Sequence, residues 1–337
     1  MGETLFENGN GRPAQSEPGA VLLRELSDGD QVAGAFVVRE RERRQKRNGE
    51  DFLRVVLADK TGTVPAIAWE SVAECFECCA PGSIVLVRGS FAVHPQFGKQ
   101  IKLAAVRPAG PGEYDTEQLA EGPARSVELL ETDLRELIGT VQNQSLRGLL
   151  DRFFGAGTES WERFRQAPAA KHYHQAYAGG LLEHTLSVAQ AVSAAANFFP
   201  GIDREIAVTG ALLHDIGKTE AYNDDPLAIE LTDAGRLEGE IPRGYYKVRR
   251  EIERIEEFDP HLAQAILHII LSHHGQLEHG SPVVPATREA TLVHSIDNLG
   301  GKLGSFDRLE KELADGESWS RFDRGIDGSA FFGSRAA

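Results

Sequence analysis

The sequence predicts a multi-domain α+β protein in which a β-barrel domain precedes an all-α domain. Its 337 residues exceed the usual length of one domain, so at least two domains are expected. Apolar residues alternate with a period of two within the first 108 residues and recur with helical spacing after about residue 127. Most of the histidines also lie in the later part, which places the candidate chemistry in the helical domain.

The composition is that of a globular protein, with 41% hydrophobic and 26% charged residues and no apolar run long enough to span a membrane. The net charge of −15 repels polyanions at long range, so nucleic-acid binding would require a local basic patch. The N-terminus lacks the basic and apolar regions of a signal peptide. The only cysteines, Cys75, Cys78 and Cys79, cannot form a disulfide framework, which indicates a cytoplasmic protein with these thiols packed in a short helix.

Five short strands and one helix are predicted between residues 23 and 108, after a flexible tail at residues 1–22. The predicted strands are 32–38, 52–58, 64–69, 83–93 and 99–106, and the helix spans 71–79. Five strands with a helix between the third and the fourth is the order of an OB-fold β-barrel. The sequence therefore predicts an OB-fold as the N-terminal domain.

Basic and aromatic side chains in this part favour a face that binds single-stranded nucleic acid. The loop predicted at 39–47 carries six basic residues and two acidic ones. Rings that stack on bases, beside cations that follow the phosphates, are typical of single-strand binding on such barrels. The alternative is that the rings fill the barrel core and the loop is a solvated hairpin. The candidate substrate-binding residues are Arg41, Arg43, Arg44, Lys46, Arg47, Phe52, Lys60 and Trp69.

Residues 109–166 are predicted to form a linker followed by packing helices. The prolines and glycines of residues 108–112 mark the boundary. Apolar residues recur with helical spacing from 127 to 141, and a second helix at 146–154 is expected to begin at Ser145 as its N-cap and to stop at Gly155. Nothing in these helices indicates chemistry.

The helical domain is predicted at 167–304. It contains an apolar run that predicts a buried helix ending in the adjacent residues His214 and Asp215. Asp203 is the expected N-cap of that helix. A neutral imidazole beside a carboxylate is a suitable ligand pair for a divalent first-row metal, although a surface dipeptide at a helix end would look the same. Other predicted helices carry His184, His273–His274 and Asp297, and ligand types on four separate helices favour a metal site.

These motifs resemble those of the HD-domain metal phosphohydrolases, whose ligands follow the order His184, His214–Asp215, Asp297. The surrounding strings are similar to those of the YhaM-type 3′–5′ exoribonucleases, in which an OB domain precedes an HD domain. The strings are GGLLEHTLSV, GALLHDIGK, ILSHHG, GSPVVPAT and SIDNL, and the similarity spans roughly residues 25–304. The resemblance implies an all-helical HD domain, a divalent metal, usually manganese, and RNA as the substrate.

Three positions depart from the pattern of that family. Gln175 replaces the second of the two histidines that usually precede Ala-Tyr. Glu240 replaces the histidine of the usual Gly-His-Ile, and Gly300 replaces the last aspartate of the usual Asp-Asn-Leu-Asp. None of the three changes the four core ligands. The Glu240 substitution leaves open the composition of a second metal site and the number of ions, one or two.

The ligand set suggests a hydrolytic mechanism in which divalent ions activate water for attack on phosphorus at neutral pH. The expected ligands of the first ion are His184, His214, Asp215 and Asp297, and those of the second are Asp215, His273, His274 and Glu240. Lys218 is expected to contact a phosphate or leaving oxygen. His174 and Lys171 either hold the scissile phosphate or belong to a polar rim.

The predicted function is that of a metal-dependent 3′–5′ exoribonuclease acting on single-stranded RNA, with single-stranded DNA as a further substrate. One alternative is an HD phosphohydrolase for nucleotides or small phosphoesters, in which the barrel is regulatory or oligomerising. Another is a non-catalytic single-strand-binding protein with an inert HD domain. The sequence leaves open the oligomeric state, including a homo-oligomer, and the role of a partly mobile C-terminal extension at 305–337.

Overall fold

The structure, a computed structural model, describes residues 22–46, 49–94, 98–119, 122–123, 125–171, 175–225, 227, 229–313 and 316–333. The chain divides into two compact units, residues 1–121 and 122–337. The division falls 13 residues beyond the predicted barrel boundary at 108, and the predicted connector helices belong to the second unit. None of the helices in the described ranges has the length and apolar character that crossing a membrane requires.

The first unit is a closed five-stranded barrel, which confirms the predicted OB-fold. Its strands pair in the order β1-β2-β3-β5-β4, antiparallel throughout except for the parallel pairing of β3 with β5. The strands are β1 (Gln31–Gln45), β2 (Asp51–Asp59), β3 (Gly62–Ala68), β4 (Ile84–His94) and β5 (Gly98–Pro108). Helix α1 (Val72–Cys78) lies between β3 and β4, and a short helix α2 (Thr116–Leu119) follows the barrel.

The barrel closes because β4 bends where it crosses β5. The register between these strands shifts at Arg88 and Gly89. A Cβ atom on Gly89 would lie 2.3 Å from the carbonyl oxygen of Lys102, so only glycine allows this approach of the two backbones. The interior is filled by alternate strand residues such as Leu53, Phe91 and Ile101, which are fully buried.

The predicted loop at 39–47 is mostly strand, which corrects the sequence analysis. Strand β1 continues to Gln45 and pairs with β2 along its whole charged segment, with Arg41 opposite Val55 and Arg43 opposite Leu53. Charged residues occupy both faces of this β1–β2 ribbon, so the apolar alternation that marks a half-buried strand is absent from its sequence.

The second unit consists of helices around one hydrophobic core. The described helices are α3 (Val127–Gly139), α4 (Gln144–Phe154), α5 (Glu159–Phe164), α6 (Gly180–Ala196), α7 (Arg204–Leu213), α8 (Lys218–Ala221), α9 (Asp233–Glu238), α10 (Glu240–Ile252), α11 (Pro260–Ser272) and α12 (Arg288–Glu312). Leu134, Leu149 and Phe154 of the connector helices share this core with Leu212 and Ile269. The all-helical C-terminal domain is therefore confirmed.

The N-caps were predicted with mixed success. The Asp203 carboxylate accepts hydrogen bonds from the backbone N–H groups of Glu205 and Ile206, as expected for the cap of α7. The cap of α4 is Asn143, whose side chain accepts from Leu146 N–H, so the prediction of Ser145 was wrong. Both residue types are good N-caps, and the sequence offers the two within three positions.

The boundary predicted after residue 304 lies inside α12, which runs on to Glu312. Beyond it, residues 318–332 form a hairpin with bridges between Trp319 and Phe331 and between Asp323 and Gly328. The hairpin is attached to α12 by an ion pair between Arg308 and Asp323 (2.6 Å).

Candidate metal centre and nucleic-acid face

The candidate ligands are brought together because three core helices present them at or near their ends and a fourth presents one from its interior. His184 lies in the second turn of α6, His214 is the C-cap of α7 with Asp215 next to it, and His273 is the C-cap of α11. Asp297 projects from α12. Each helix is anchored by a buried apolar face, so the polar groups are fixed by packing that precedes any ligand.

The first group of ligands surrounds a small buried space. Nε2 of His184 lies 3.3 Å from Oδ2 of Asp215 and 3.1 Å from Oδ1 of Asp297. Nε2 of His214 lies 3.3 Å from the same Asp215 oxygen and 3.8 Å from the same Asp297 oxygen. Two imidazoles and two carboxylates therefore converge, as predicted for the first ion.

The second group shares Asp215 with the first. Nε2 of His273 lies 3.4 Å from Oδ1 of Asp215, and Nε2 of His274 lies 3.8 Å from Oε1 of Glu240. Donor atoms of Asp215, His273 and His274 all lie within 4.8 Å of one another. Glu240 thus lies beside the second group, and its role as a ligand stays a prediction.

A close approach of two backbones brings Glu240 to this place. A Cβ atom on Gly217 would lie 2.0 Å from the carbonyl oxygen of Glu240 and 2.6 Å from the amide nitrogen of Gly244. Only glycine after the His214–Asp215 pair lets the start of α10 pack directly against that turn. This requirement gives Gly217, which is part of the HD string, a physical role.

The tautomers of two histidines are set by backbone carbonyls. Nδ1 of His214 donates to the carbonyl of Ala211 (2.7 Å), and Nδ1 of His273 donates to that of Ile270 (2.8 Å). In the neutral form, the lone pair of each ring is then on Nε2, which points into the site. These two Nε2 atoms and Oδ1 of Asp215 are buried and have no hydrogen-bond partner among the described residues.

Buried lone pairs without partners are costly, and a cation among them satisfies all of them at once. Imidazole nitrogens and carboxylate oxygens are also the donor types that divalent first-row metals accept. The residues present therefore fit one or two divalent ions.

The electrostatics of the site favour the ionised carboxylates. Burial raises the pKa of Asp215, but the charges of Lys218 and His214 outweigh it and hold the pKa well below its ordinary value. The pKa of Asp297 is likewise lowered despite burial, chiefly by a hydrogen bond from His184. Burial lowers the pKa of His184, but its hydrogen bonds to Asp215 and Asp297 outweigh burial and raise the pKa to about 9. Without a metal, the proton on His184 therefore offsets the negative charge of the two carboxylates.

Lys218 lies one turn beyond the His214–Asp215 pair, with its ammonium 2.7 Å from Oδ2 of Asp215. Burial lowers the pKa of this lysine, and the charge of Asp215 more than compensates and raises it, so the ammonium stays protonated. The structure therefore places a fixed positive charge at the edge of the metal site.

The other predicted phosphate contacts are less directly placed. Lys171 forms an ion pair with Glu230, which Arg236 also approaches (3.5 Å), and this arrangement is that of a polar rim. His174 lies outside the described residues.

An aromatic pair is present on the barrel. The rings of Phe52 and Trp69 stack with centroids 5.0 Å apart, and the Lys46 ammonium lies 5.1 Å from the centroid of Trp69. Trp69 is 43% exposed, so one side of this pair is open to solvent. A stacked pair with a cation beside it is suited to an unpaired base and its phosphate.

The basic residues of the β1–β2 ribbon mostly have acidic partners. Arg43 pairs with Asp51 (2.6 Å), Arg44 with Glu42 (2.7 Å) and Lys46 with Glu50 (3.0 Å). The Arg41 guanidinium instead lies over the Phe76 ring, 3.9 Å from its centroid, and donates to the carbonyl of that residue. Lys60 is exposed, and Arg47 lies outside the described residues.

Comparison with known proteins identifies the family. The profile described as HD domain matches residues 181–301. The "3'-5' exoribonuclease YhaM" of Geobacillus sp. (strain WCH70) is 30% identical over 296 residues, which cover 87% of this chain and 89% of the relative. The protein of the same name from Bacillus subtilis (strain 168) is 30% identical over 304 residues, with 89% and 94% covered.

This chain belongs to the YhaM family. Among solved structures, the barrel is similar to a small single-stranded DNA-binding protein from Streptomyces coelicolor, with 17% identity and a TM-score of 0.22 over 25% of this chain and 96% of that one. It is also similar to the second OB-fold domain of replication protein A from Methanococcus maripaludis, with 19% identity and a TM-score of 0.21 over 27% and 94% of the two chains.

The departures from the YhaM pattern take different places in the structure. Glu240 is beside the second ligand group, as described above. Gln175 adopts a left-handed backbone conformation (φ +60°), and its carbonyl accepts from Ala169 N–H (3.1 Å). A Cβ atom on Gly300 would have no atom within 4 Å, so this position of α12 is open.

His294 and Gly275, which were not predicted as site residues, support the second ligand group. Nδ1 of His294 donates to the carbonyl of His273 (2.7 Å). A Cβ atom on Gly275 (φ +78°) would lie 2.1 Å from the His294 ring, so the turn after His274 depends on both residues. The i, i+3 spacing of His294 and Asp297 on one helix is the signal that could have found the histidine.

Proposed function

We propose that this YhaM-family chain is a metal-dependent 3′–5′ exoribonuclease that hydrolyses single-stranded RNA and also accepts single-stranded DNA. The observation that carries the proposal is the position of Asp215 between two groups of histidines. One of its oxygens faces His184 and His214, and the other faces His273. A carboxylate shared in this way is suited to two cations held close together, as in many phosphodiesterases.

The chain would hold the first ion with His184, His214, Asp215 and Asp297. It would hold the second with the other oxygen of Asp215 and with His273, His274 and Glu240. Manganese is the proposed metal because it prefers carboxylate oxygens and, as a first-row divalent metal, also accepts imidazole nitrogens. Bound divalent ions supply a nucleophile from water at neutral pH and offset negative charge on the phosphate.

Lys218 has two proposed roles, which its position supports. Its ammonium holds Oδ2 of Asp215 and so orients the shared carboxylate. The same charge lies at the edge of the site, where it would stabilise negative charge on a phosphate oxygen as the P–O bond breaks. His174 and Lys171 are proposed to contact a neighbouring phosphate, and for Lys171 this requires release of Glu230.

The barrel is proposed to bind the single strand. Phe52 and Trp69 would stack on a base, with Lys46 and Lys60 near its phosphates. Arg43, Arg44 and, outside the described residues, Arg47 would contact further phosphates, and Arg41 would fix the adjoining helix α1. Because these ion pairs are exposed or partly exposed, the ribbon arginines can exchange them for phosphates at little cost.

We also propose a cytoplasmic location. Cys75, Cys78 and Cys79 are free thiols, and burial raises the pKa of the Cys79 thiol to about 12. Unreactive free thiols are typical of proteins in a reducing compartment.

The deciding experiment is hydrolysis of a 5′-end-labelled oligoribonucleotide with manganese, with and without a chelator. We expect a ladder that shortens from the 3′ end and disappears with the chelator. The same strand with a blocked 3′ end is the control and should resist. Hydrolysis of mononucleotides or of a chromogenic phosphodiester without any attack on oligomers would contradict the proposal and indicate a small-phosphoester hydrolase.

A further inference from the structure

Helix α12 has an apolar stripe that the described part of the chain leaves largely exposed. Leu299 is 50% exposed, Leu303 55% and Phe306 37%. Their spacing of four and three residues puts them on one side of the helix. Ala290 and Val293, on another side, are fully buried in the core. This helix therefore has two apolar sides, of which the core needs one.

The C-terminal hairpin carries a second group of exposed rings. Phe306 contacts Phe332 with ring centroids 6.3 Å apart, whereas the rings of Trp319 and Phe331, tilted by 43° with centroids 4.8 Å apart, belong to the other face of the hairpin. The hairpin rings are therefore separate from the helix stripe. We call Leu299, Leu303 and Phe306 the α12 surface.

At about 200 Å² for each side chain, the α12 surface leaves roughly 250 Å² of apolar area in water. A standard interface buries about 800 Å² on each partner, of which somewhat more than half is apolar. The stripe is therefore large enough to be the apolar centre of a small interface.

The charges beside the stripe indicate what covers it. In a heptad, Leu299, Leu303 and Phe306 occupy positions d, a and d, which places Lys302 at g and Asp307 at the following e. Both of these side chains are exposed, and no ion pair is formed by either within the described ranges. When two identical helices pack in parallel, each g residue meets the e residue five positions later on the other helix.

Lys302 and Asp307 are five positions apart and opposite in charge, so a second copy of α12 complements the first. In an antiparallel pair, position g of one helix would face position g of the other, so Lys302 would face the partner's Lys302. The charge pattern therefore favours the parallel arrangement.

We propose that the α12 surface is the interface of a homodimer, in which two α12 helices pack in parallel about a two-fold axis. Leu303 meets the partner's Leu303 on that axis, and Lys302 forms an ion pair with the partner's Asp307 at each side. Such an interface is isologous, so it closes at two copies and does not propagate.

The first test is the mass of the full chain in solution, measured by light scattering after size exclusion and by sedimentation equilibrium. We expect a dimer for the wild type. Leu303→Glu would put two unpaired carboxylates into the interface and should raise the dimer dissociation constant by at least about 100-fold. Leu129→Glu is the matched control, because Leu129 is 54% exposed on α3, and it should remain dimeric. Equal melting temperatures would show that both variants are folded.

The second test concerns the direction of packing. Lys302→Glu places like charges opposite each other and should weaken the dimer, and adding Asp307→Lys should restore it because the pair is exchanged. A monomeric wild type, or a Leu303→Glu variant that dimerises as tightly as the wild type, would overturn the proposed interface. A charge exchange that fails to restore the dimer would overturn the parallel arrangement.

Discussion

At the scale of single residues, the candidate site depends on Asp215, because its two oxygens are divided between two groups of imidazoles. Lys218 holds one of these oxygens and lowers the pKa of the carboxyl group. The carboxylate is thus kept ionised in a buried place, which is the state that a divalent ion requires.

Asp215→Asn is therefore expected to reduce RNA hydrolysis by at least about 100-fold, since it keeps the shape of the side chain and removes the charge shared by the two ions. Single-strand affinity, measured by fluorescence anisotropy, should be largely unchanged because it depends on the barrel. Turnover close to wild type at saturating manganese would contradict the metal-centred mechanism.

Glu240→Ala is expected to raise the manganese concentration for half-maximal rate by about tenfold, because the second ion would lose a ligand. Maximal rate at saturating metal should fall less. Glu253→Ala, an exposed carboxylate at the other end of α10, is the control and should leave the titration unchanged. If both variants titrate alike, Glu240 is not a ligand.

His294 offers a test of how the second ligand group is positioned. His294→Leu removes the hydrogen bond to the His273 carbonyl and should weaken manganese binding at the second site by about tenfold. His294→Asn can place an amide N–H near the position of Nδ1, so it should recover part of that affinity. Calorimetric titration of manganese measures both, and two variants that bind equally weakly would argue against a role for this hydrogen bond.

At the scale of elements, the β1–β2 ribbon combines basic residues with acidic partners on the same strands. The contribution of the ribbon to RNA affinity would therefore be the free energy gained from phosphate contacts minus the free energy lost with the ion pairs they replace. Arg41 differs from the others because it packs on Phe76 of α1, so changing it would disturb the barrel as well as the charge.

Neutralising Arg43, Arg44 and Lys46 to glutamine is expected to lower the slope of log affinity against log salt by at most about 2, at about 0.7 per phosphate contact on a single strand. Long-RNA affinity should fall at low salt, while cleavage of a chromogenic phosphodiester should continue at the wild-type rate. Neutralising Arg249 and Arg250 of α10 removes similar charge elsewhere and should leave the slope unchanged. Equal loss on both substrates would place the ribbon at the metal site.

At the scale of the whole molecule, the two units have separate cores and different expected ligands. The helical unit encloses the carboxylates and imidazoles, whereas the barrel carries the exposed aromatic pair. Ligands should therefore stabilise the two units selectively.

Manganese at about 100 times its dissociation constant is expected to stabilise the helical unit by about 2.7 kcal/mol. For a unit of this size that corresponds to a rise of roughly 5–10 °C in its Tm. Differential scanning calorimetry should show the shift in the transition of the helical unit and none in that of the barrel. Asp215→Asn should lose most of the shift, and an equal shift in that variant would indicate metal binding elsewhere.

The sequence by itself determined the barrel, the helical domain and the residue types of the metal site. Strand alternation, helical spacing and cap residues are local patterns, and a histidine or carboxylate on an otherwise apolar helix is visible without knowing what it faces. His184, His214, Asp215 and Asp297 were identified in this way, and the structure brings Nε2 of each histidine to within 3.3 Å of a carboxylate oxygen.

Only the tertiary structure decided which groups face each other, because those pairings join residues far apart in the chain. The division of Asp215 between two ligand groups, the support of His273 by His294 and the neutralisation of Arg43 by Asp51 all depend on such contacts. The same reason explains the error over β1, since the length of that strand is set by its pairing with β2. The exposed stripe of α12 was also hidden, because leucines at helical spacing look alike whether they face a core or water.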